Sequence, residues 1–314
     1  MRFDRRHFDR AISRPQVREH LIQYQKRTPG DDNNEEQSTD EKDRTIATGS
    51  RLLRTAGGQF DIQKLHELFW RLAVGSGFFH KYYCFTMFGA TTQERAYLAP
   101  FFGFLGILAF GTLAAHLFEG SAFWMVSAPR YWIYPLQTVA CGGILAWFWR
   151  EYELRLPRGV AWALGCGILS LLLWIAPQQW LGFPPRADGF QPGFFGSSGW
   201  PYAVNLVLRF VRLVVVVPLV EEIFWRGFLL RYLIRENFTQ VPMGAFSWRS
   251  FFLVIVGFCL EHSPSDWPAA ACTGALFNLV AYRTGSLSAC VLTHAVTNAL
   301  LGWWILQTGQ WGFW

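Results

Sequence analysis

From residue 97 onward the chain alternates long apolar runs with short polar links. Seven runs stand out, at residues 97–118, 131–149, 160–176, 203–220, 251–262, 267–282 and 287–306. Most approach the ~20 residues that a helix needs, at 1.5 Å rise per residue, to cross a ~30 Å hydrocarbon core. Spanning helices rather than barrel strands are predicted, because runs of this length carry no alternation of apolar and polar positions. The expected fold class is therefore all-α, a polytopic membrane helical bundle of about seven to eight transmembrane helices. The run at 251–262 is short and is followed by Ser263, Pro264 and Ser265, so it is expected to end at membrane depth beside a water-filled cavity.

The N-terminal part reads differently. Residues 1–58 form a polar tail, and within it 28–50 (TPGDDNNEEQSTDEKDRTIATGS) offers almost nothing to bury, which is the composition of disorder. Residues 59–96 turn aromatic yet keep Lys64, Arg71, His80 and Lys81, which suits a segment lying in the interface. The transmembrane domain is assigned to 97–314. No apolar signal-peptide core precedes it, so the first spanning helix is expected to direct insertion. Met87 is an alternative start, in which case the tail is not part of the protein.

Composition agrees with the pattern. Apolar residues make up 52% of the 314 and charged residues 16%, well below the quarter usual in soluble domains. The net charge of +6 does not point to nucleic acid, because Lys and Arg gather in the tail and in alternate links. Arg150, Arg155 and Arg158 occupy the second link, Arg226, Arg231, Arg235 and Arg249 the fourth, and Arg283 the sixth. By the positive-inside rule these links and the N-terminus are cytoplasmic, and the Gly/Pro-rich link at 177–201 is external. Five of the six cysteines lie in apolar runs without C-x-x-C spacing and are read as packing residues. A Cys290–His294 dyad is disfavoured, since an apolar neighbourhood makes a thiol inert.

The chemistry lies in the last four runs. Glu221 and Glu222 sit at the end of VVVVPLVEEIFWRGFLL, where an acid opposes an insertion cost of roughly 2.5–3.5 kcal/mol at the bilayer centre. Glu222 and Arg226 are four apart in the favourable acid-first order and are expected to pair. Glu221 points about 100° away and is free to face a cavity. His294 and Asn298, also four apart, present an imidazole and an amide from one face, a donor pair suited to an oxyanion. His262 follows Phe258 by one turn and adds a third titratable group. Counted along helices, His262 lies about 16 Å and His294 about 10 Å from the cytoplasmic ends of their runs, so both can meet the acids. Asn205, Arg209 and Arg212 lie along one side of the fourth run, either lining a polar groove or snorkelling.

These residues carry a resemblance. EEIFWR (221–226), FCLEH (258–262) and HAVTN (294–298) match EExxxR, FxxxH and HxxxN in the order used by the CAAX-protease and bacteriocin-processing family, which includes the Ras-converting enzyme. Each motif alone is weak; three in order on apolar sequence are specific. The resemblance covers 203 to the C-terminus, with its core at 203–306, and more loosely the runs from 97. The wording VPLVEEIFWRGFLLRYLI, YRTGSL and THAVTNALLG is similar to the branch found beside exosortase and PEP-CTERM sorting systems.

The resemblance implies an intramembrane endopeptidase acting on a membrane-anchored protein or peptide near its C-terminus, with no nucleic-acid partner and a link to an exosortase system. It implies Glu221 as general base, His262 positioning water, and His294 with Asn298 polarising the carbonyl. Glu222, Arg226 and Phe258 would support them. Members are often labelled metalloproteases, and Glu221, His262 and His294 are the set that would hold a divalent metal such as zinc, although HExxH is absent. Two other readings stay open: a non-catalytic membrane scaffold of the same fold, and a transporter, which would be expected to show repeated halves.

Overall fold

The computed structural model describes residues 90–118, 123–186 and 189–314. The polar tail and nearly all of the aromatic segment before 97 lie outside the described residues. Each of the seven apolar runs forms a helix: α1 (Thr92–Leu117), α2 (Arg130–Trp147), α3 (Val160–Trp180), α4 (Gly199–Tyr232), α5 (Trp248–Glu261), α6 (Trp267–Thr284) and α7 (Leu287–Thr308). No strand occurs among the described residues, and the architecture is an all-α membrane bundle. Four helices, α1, α3, α4 and α7, are long and apolar enough to cross a membrane. With 14 residues, α5 spans only about 21 Å.

Local chemistry sets the ends. The first helix begins five residues before its apolar run because TTQE is a capping box, in which Thr91 Oγ1 accepts from the Glu94 amide at 3.1 Å and Glu94 Oε2 accepts from the Thr91 amide at 2.9 Å. The α6–α7 turn is made by Gly285, whose φ of +55° closes α6 through a 2.9 Å bond from its N–H to the Ala281 carbonyl. Ser286 then caps α7, its hydroxyl accepting from the Ala289 amide.

The largest departure from the sequence reading concerns α4. Its apolar run was expected to stop at 220, but the helix continues unbroken through both acids to Tyr232, 34 residues in all. Two of its stretches, Arg212–Val216 and Ile223–Leu229, are π-helical, and they bracket the α-helical stretch Val217–Glu222. Several of the charges inside α4 are satisfied within the protein and do not terminate it. Arg231, for example, donates to the Val241 and Gly227 carbonyls and pairs with Glu153 at 3.0 Å.

Packing places α4 centrally: α1 and α7 contact it, α1 also packs on α2, and α3 lies against α6 and α7. Close approach depends on missing side chains. A Cβ at Gly167 on α3 would fall 2.8–2.9 Å from Val296 and from the Thr293 carbonyl on α7. The outer surface is apolar, with Trp147, Val139 and Leu156 among the well-exposed large side chains.

Candidate active site

The two acids of α4 have opposite surroundings. Glu222 is fully buried, and its Oε1 accepts from Arg226 Nη1 at 3.1 Å and from His294 Nδ1 at 3.0 Å. Arg226, also fully buried, donates Nε to Asn278 Oδ1 and Nη2 to the Gly274 carbonyl, each at 3.1 Å. Its guanidinium carbon lies 5.1 Å from the Phe258 ring centre and 5.3 Å from that of Phe277. A delocalised planar cation suits this position, because its fork satisfies three oxygens while its faces meet aromatic rings. The i,i+4 pair expected from the sequence thus forms, as one edge of a network joining α4, α6 and α7.

Glu221, one residue earlier, is 6% exposed and makes no hydrogen bond or ion pair with any described residue; its Oε2, like that of Glu222, is enclosed without a partner, but it has no counterpart to the contacts made by Glu222 Oε1. Glu222, Glu261, Arg226 and Arg212 are the charged groups within its electrostatic reach. A buried polar atom without a hydrogen-bond partner is rare enough in folded proteins to need an explanation.

Both histidines have one nitrogen committed. An ionised carboxylate and a carbonyl can only accept, so the nitrogen facing either carries the hydrogen. His294 therefore donates Nδ1–H to Glu222, and His262 donates Nδ1–H to the Phe258 carbonyl at 2.7 Å. In each ring Nε2 is left for other partners. His262 ends α5 in extended backbone, with φ −100° and ψ 161°, as the shortness of its run suggested. The rings of Phe258 and Trp174 hold it at 4.8 and 5.1 Å, and Trp267 Nε1 donates to its carbonyl. It lies within electrostatic reach of His294, whose ring also packs 5.1 Å from Phe277.

Asn298 of α7 is tied to α4. Its Nδ2 donates to the Leu213 carbonyl at 2.8 Å, within the first π segment of α4. One amide hydrogen and the amide oxygen remain.

Direct contact thus joins Glu222, Arg226 and His294, and Phe258 touches both Arg226 and His262, while Glu221 and Asn298 reach none of these by hydrogen bonds. The sequence reading missed Asn278, Gly274 and Trp225, whose Nε1 donates to Glu261 Oε2 at 2.9 Å. A lone Asn in the apolar run ALFNLV was an available signal for the first. Among the described residues no three His, Cys, Asp or Glu side chains are gathered to hold a metal ion, so Glu221, His262 and His294 do not form a zinc site in this arrangement. The five described cysteines are unpaired, and Cys290 donates to the Ser286 carbonyl.

Comparison with curated proteins and with solved structures gives no match. Residues 203–300 match the family model described as "Rce1-like: Type II CAAX prenyl endopeptidase Rce1-like". The matched stretch spans most of α4, all of α5 and α6, and α7 past Asn298, and it contains all three motifs. Residues 203–300 are thus similar to the Rce1-like type II CAAX prenyl endopeptidases, and the rest of the chain lies outside the match.

Proposed function

We propose that this integral membrane protein is an intramembrane endopeptidase that hydrolyses a peptide bond of a membrane-anchored protein or peptide with water activated by Glu221. The observation that carries this reading is the contrast between neighbouring acids: Glu222 is committed to Arg226 and His294, whereas Glu221 is buried and uncommitted. Such a carboxylate is available to take a proton from water.

In the proposed reaction the water oxygen bonds to the scissile carbonyl carbon while its proton passes to Glu221. His262, with Nδ1–H committed to Phe258, offers the Nε2 lone pair to orient that water. His294 in its protonated form and the remaining N–H of Asn298 face the developing oxyanion, and Glu222 stabilises the imidazolium. Collapse breaks the C–N bond, and Glu221 returns the proton to the leaving amine.

The wording shared with the exosortase-associated branch nominates a PEP-CTERM-type sorting system as the cellular partner, in a bacterial inner membrane with the N-terminus cytoplasmic. The test compares protein termini by quantitative mass spectrometry in host cells carrying wild type or Glu221→Gln at matched abundance. Termini that depend on Glu221 are expected on membrane-anchored proteins. Identical termini across growth conditions would move the reading to a scaffold of the same fold.

A further inference from the structure

Outside the acidic site, α4 carries two cations that the proposed chemistry does not use. Arg209 and Arg212 are only 5% and 7% exposed, which removes the snorkelling alternative. Their guanidinium carbons lie 4.7 and 4.1 Å from the Tyr134 ring centre on α2. Arg212 donates Nε to Gln137 Oε1 at 3.0 Å, and Gln137 is held by its own bond to the Phe104 carbonyl. Arg209 is covered by Phe190 and by Trp314, at 5.5 and 5.8 Å.

What is missing is an anion. No described carboxylate forms an ion pair with either arginine, and although the Tyr134 hydroxyl serves part of Arg209, the Nε and Nη1 of Arg209 are enclosed without any acceptor. Aromatic faces offset part of the desolvation of a guanidinium but accept no hydrogen bond along its N–H edge. Arg130 adds a third positive charge within electrostatic reach of Arg209, and the groups that oppose the burial of Arg212 are Tyr134 first and then Glu221. Neighbouring cations in a low-dielectric interior repel, so the arrangement is complete only when an anion is shared between them. The planar fork of N–H donors matches a carboxylate.

We infer that Arg209 and Arg212 form a carboxylate-binding site that receives the free C-terminus of the substrate. The pair lies nine to twelve residues before Glu221 on the same helix, roughly 14–18 Å at helical rise. An extended chain covers that separation in about four to five residues. A carboxylate held here sets the distance from the chain end to the bond opposite Glu221, so the site acts as a ruler. The burial of Arg209 beneath Phe190 and Trp314 favours a peptide end entering the bundle over a lipid headgroup at its rim. The ruler rests on the endopeptidase reading; the anion site does not.

The test is a binding measurement in which hydrolysis plays no part. Full-length Glu221→Gln protein in phosphatidylcholine nanodiscs is titrated with a fluorescent apolar peptide of about eight residues, as the free acid and as the C-terminal amide. The acid is expected to bind at least tenfold more tightly than the amide. Arg209→Gln in that background should bind both alike, and Arg209→Lys should keep part of the preference. Equal binding of acid and amide, or binding of neither, by the folded parent overturns the site, and that comparison needs no arginine variant to fold. Phosphatidylglycerol retained in an Arg209-dependent manner by native mass spectrometry overturns the peptide assignment in favour of a lipid phosphate. Failure here leaves Glu221-dependent termini in cells untouched, so the two readings fall separately.

Discussion

Asn298 donates its side-chain amide to the main-chain carbonyl of Leu213 at 2.8 Å. The reason lies in the register of α4. In the π segment Arg212–Val216 the Val217 N–H turns to the Arg212 carbonyl, one residue further back than an α-helix requires. The same register would give Leu213 the N–H of residue 218, which is a proline and has none. Asn298 supplies the missing donor and so tethers α7 to the stretch of α4 that leads into Glu221 and Glu222.

A coupling between Asn298 and Pro218 follows. Asn298→Ala leaves a buried carbonyl unpaired and is expected to destabilise the protein by about 1–3 kcal/mol. Pro218→Ala restores a main-chain N–H in register, so in that background the loss at Asn298 should shrink by about half or more. Unfolding in detergent of the two single variants and the double variant measures this. An unchanged cost in the Pro218→Ala background would remove the register argument.

The neighbouring acids should separate by stability. Arg226→Ala leaves buried Glu222 with His294 alone and is expected to cost about 3–5 kcal/mol, enough to prevent accumulation of folded protein. Glu221→Gln breaks no hydrogen bond or ion pair with a described residue and should fold as well as wild type. Yield and thermal transition in detergent check both, and they validate Glu221→Gln as the inactive control for the terminus comparison.

Two glycines on α3 make a matched pair. Gly167→Val drives methyl groups against Val296 and the Thr293 carbonyl, where backbone cannot yield, for a cost of about 1–3 kcal/mol. At Gly165, where an added Cβ meets nothing within 4 Å, Ala should be neutral or stabilising, because glycine is the poorer helix former. Equal thermal shifts for the two variants would contradict the close α3–α7 approach.

Arg186 secures the turn that carries His262. It pairs with Asp266 at 2.6 Å and also reaches the Trp174 carbonyl, while the Trp174 ring packs on His262. Arg186→Gln is expected to lower Glu221-dependent cleavage about tenfold through misplacement of His262, with less than about 1 kcal/mol of stability lost. Asp266→Asn should have the same effect, and the double variant should be no worse than either single one. Additive losses would show that the two residues act independently.

Much of this protein was legible along the chain. Apolar runs of bilayer length dictate helices, because backbone groups in hydrocarbon must satisfy one another within a segment, and all seven runs are helical. The spacing of Glu222 and Arg226 put them on one face of one helix, and they are paired. The Thr91–Glu94 capping box was equally local and was present in TTQE, although the apolar pattern alone overlooked it. Tertiary structure decided the rest. That Glu222 serves His294 while Glu221 serves no described group, that Arg226 reaches Asn278, and that Asn298 repairs the carbonyl opposite Pro218 all depend on which helix lies beside α4. Such partners are 52 to 85 residues apart in sequence. Periodicity reports which face of a helix is buried but not what it meets there, and it does not reveal the π segments, which shift every later side chain by a fraction of a turn.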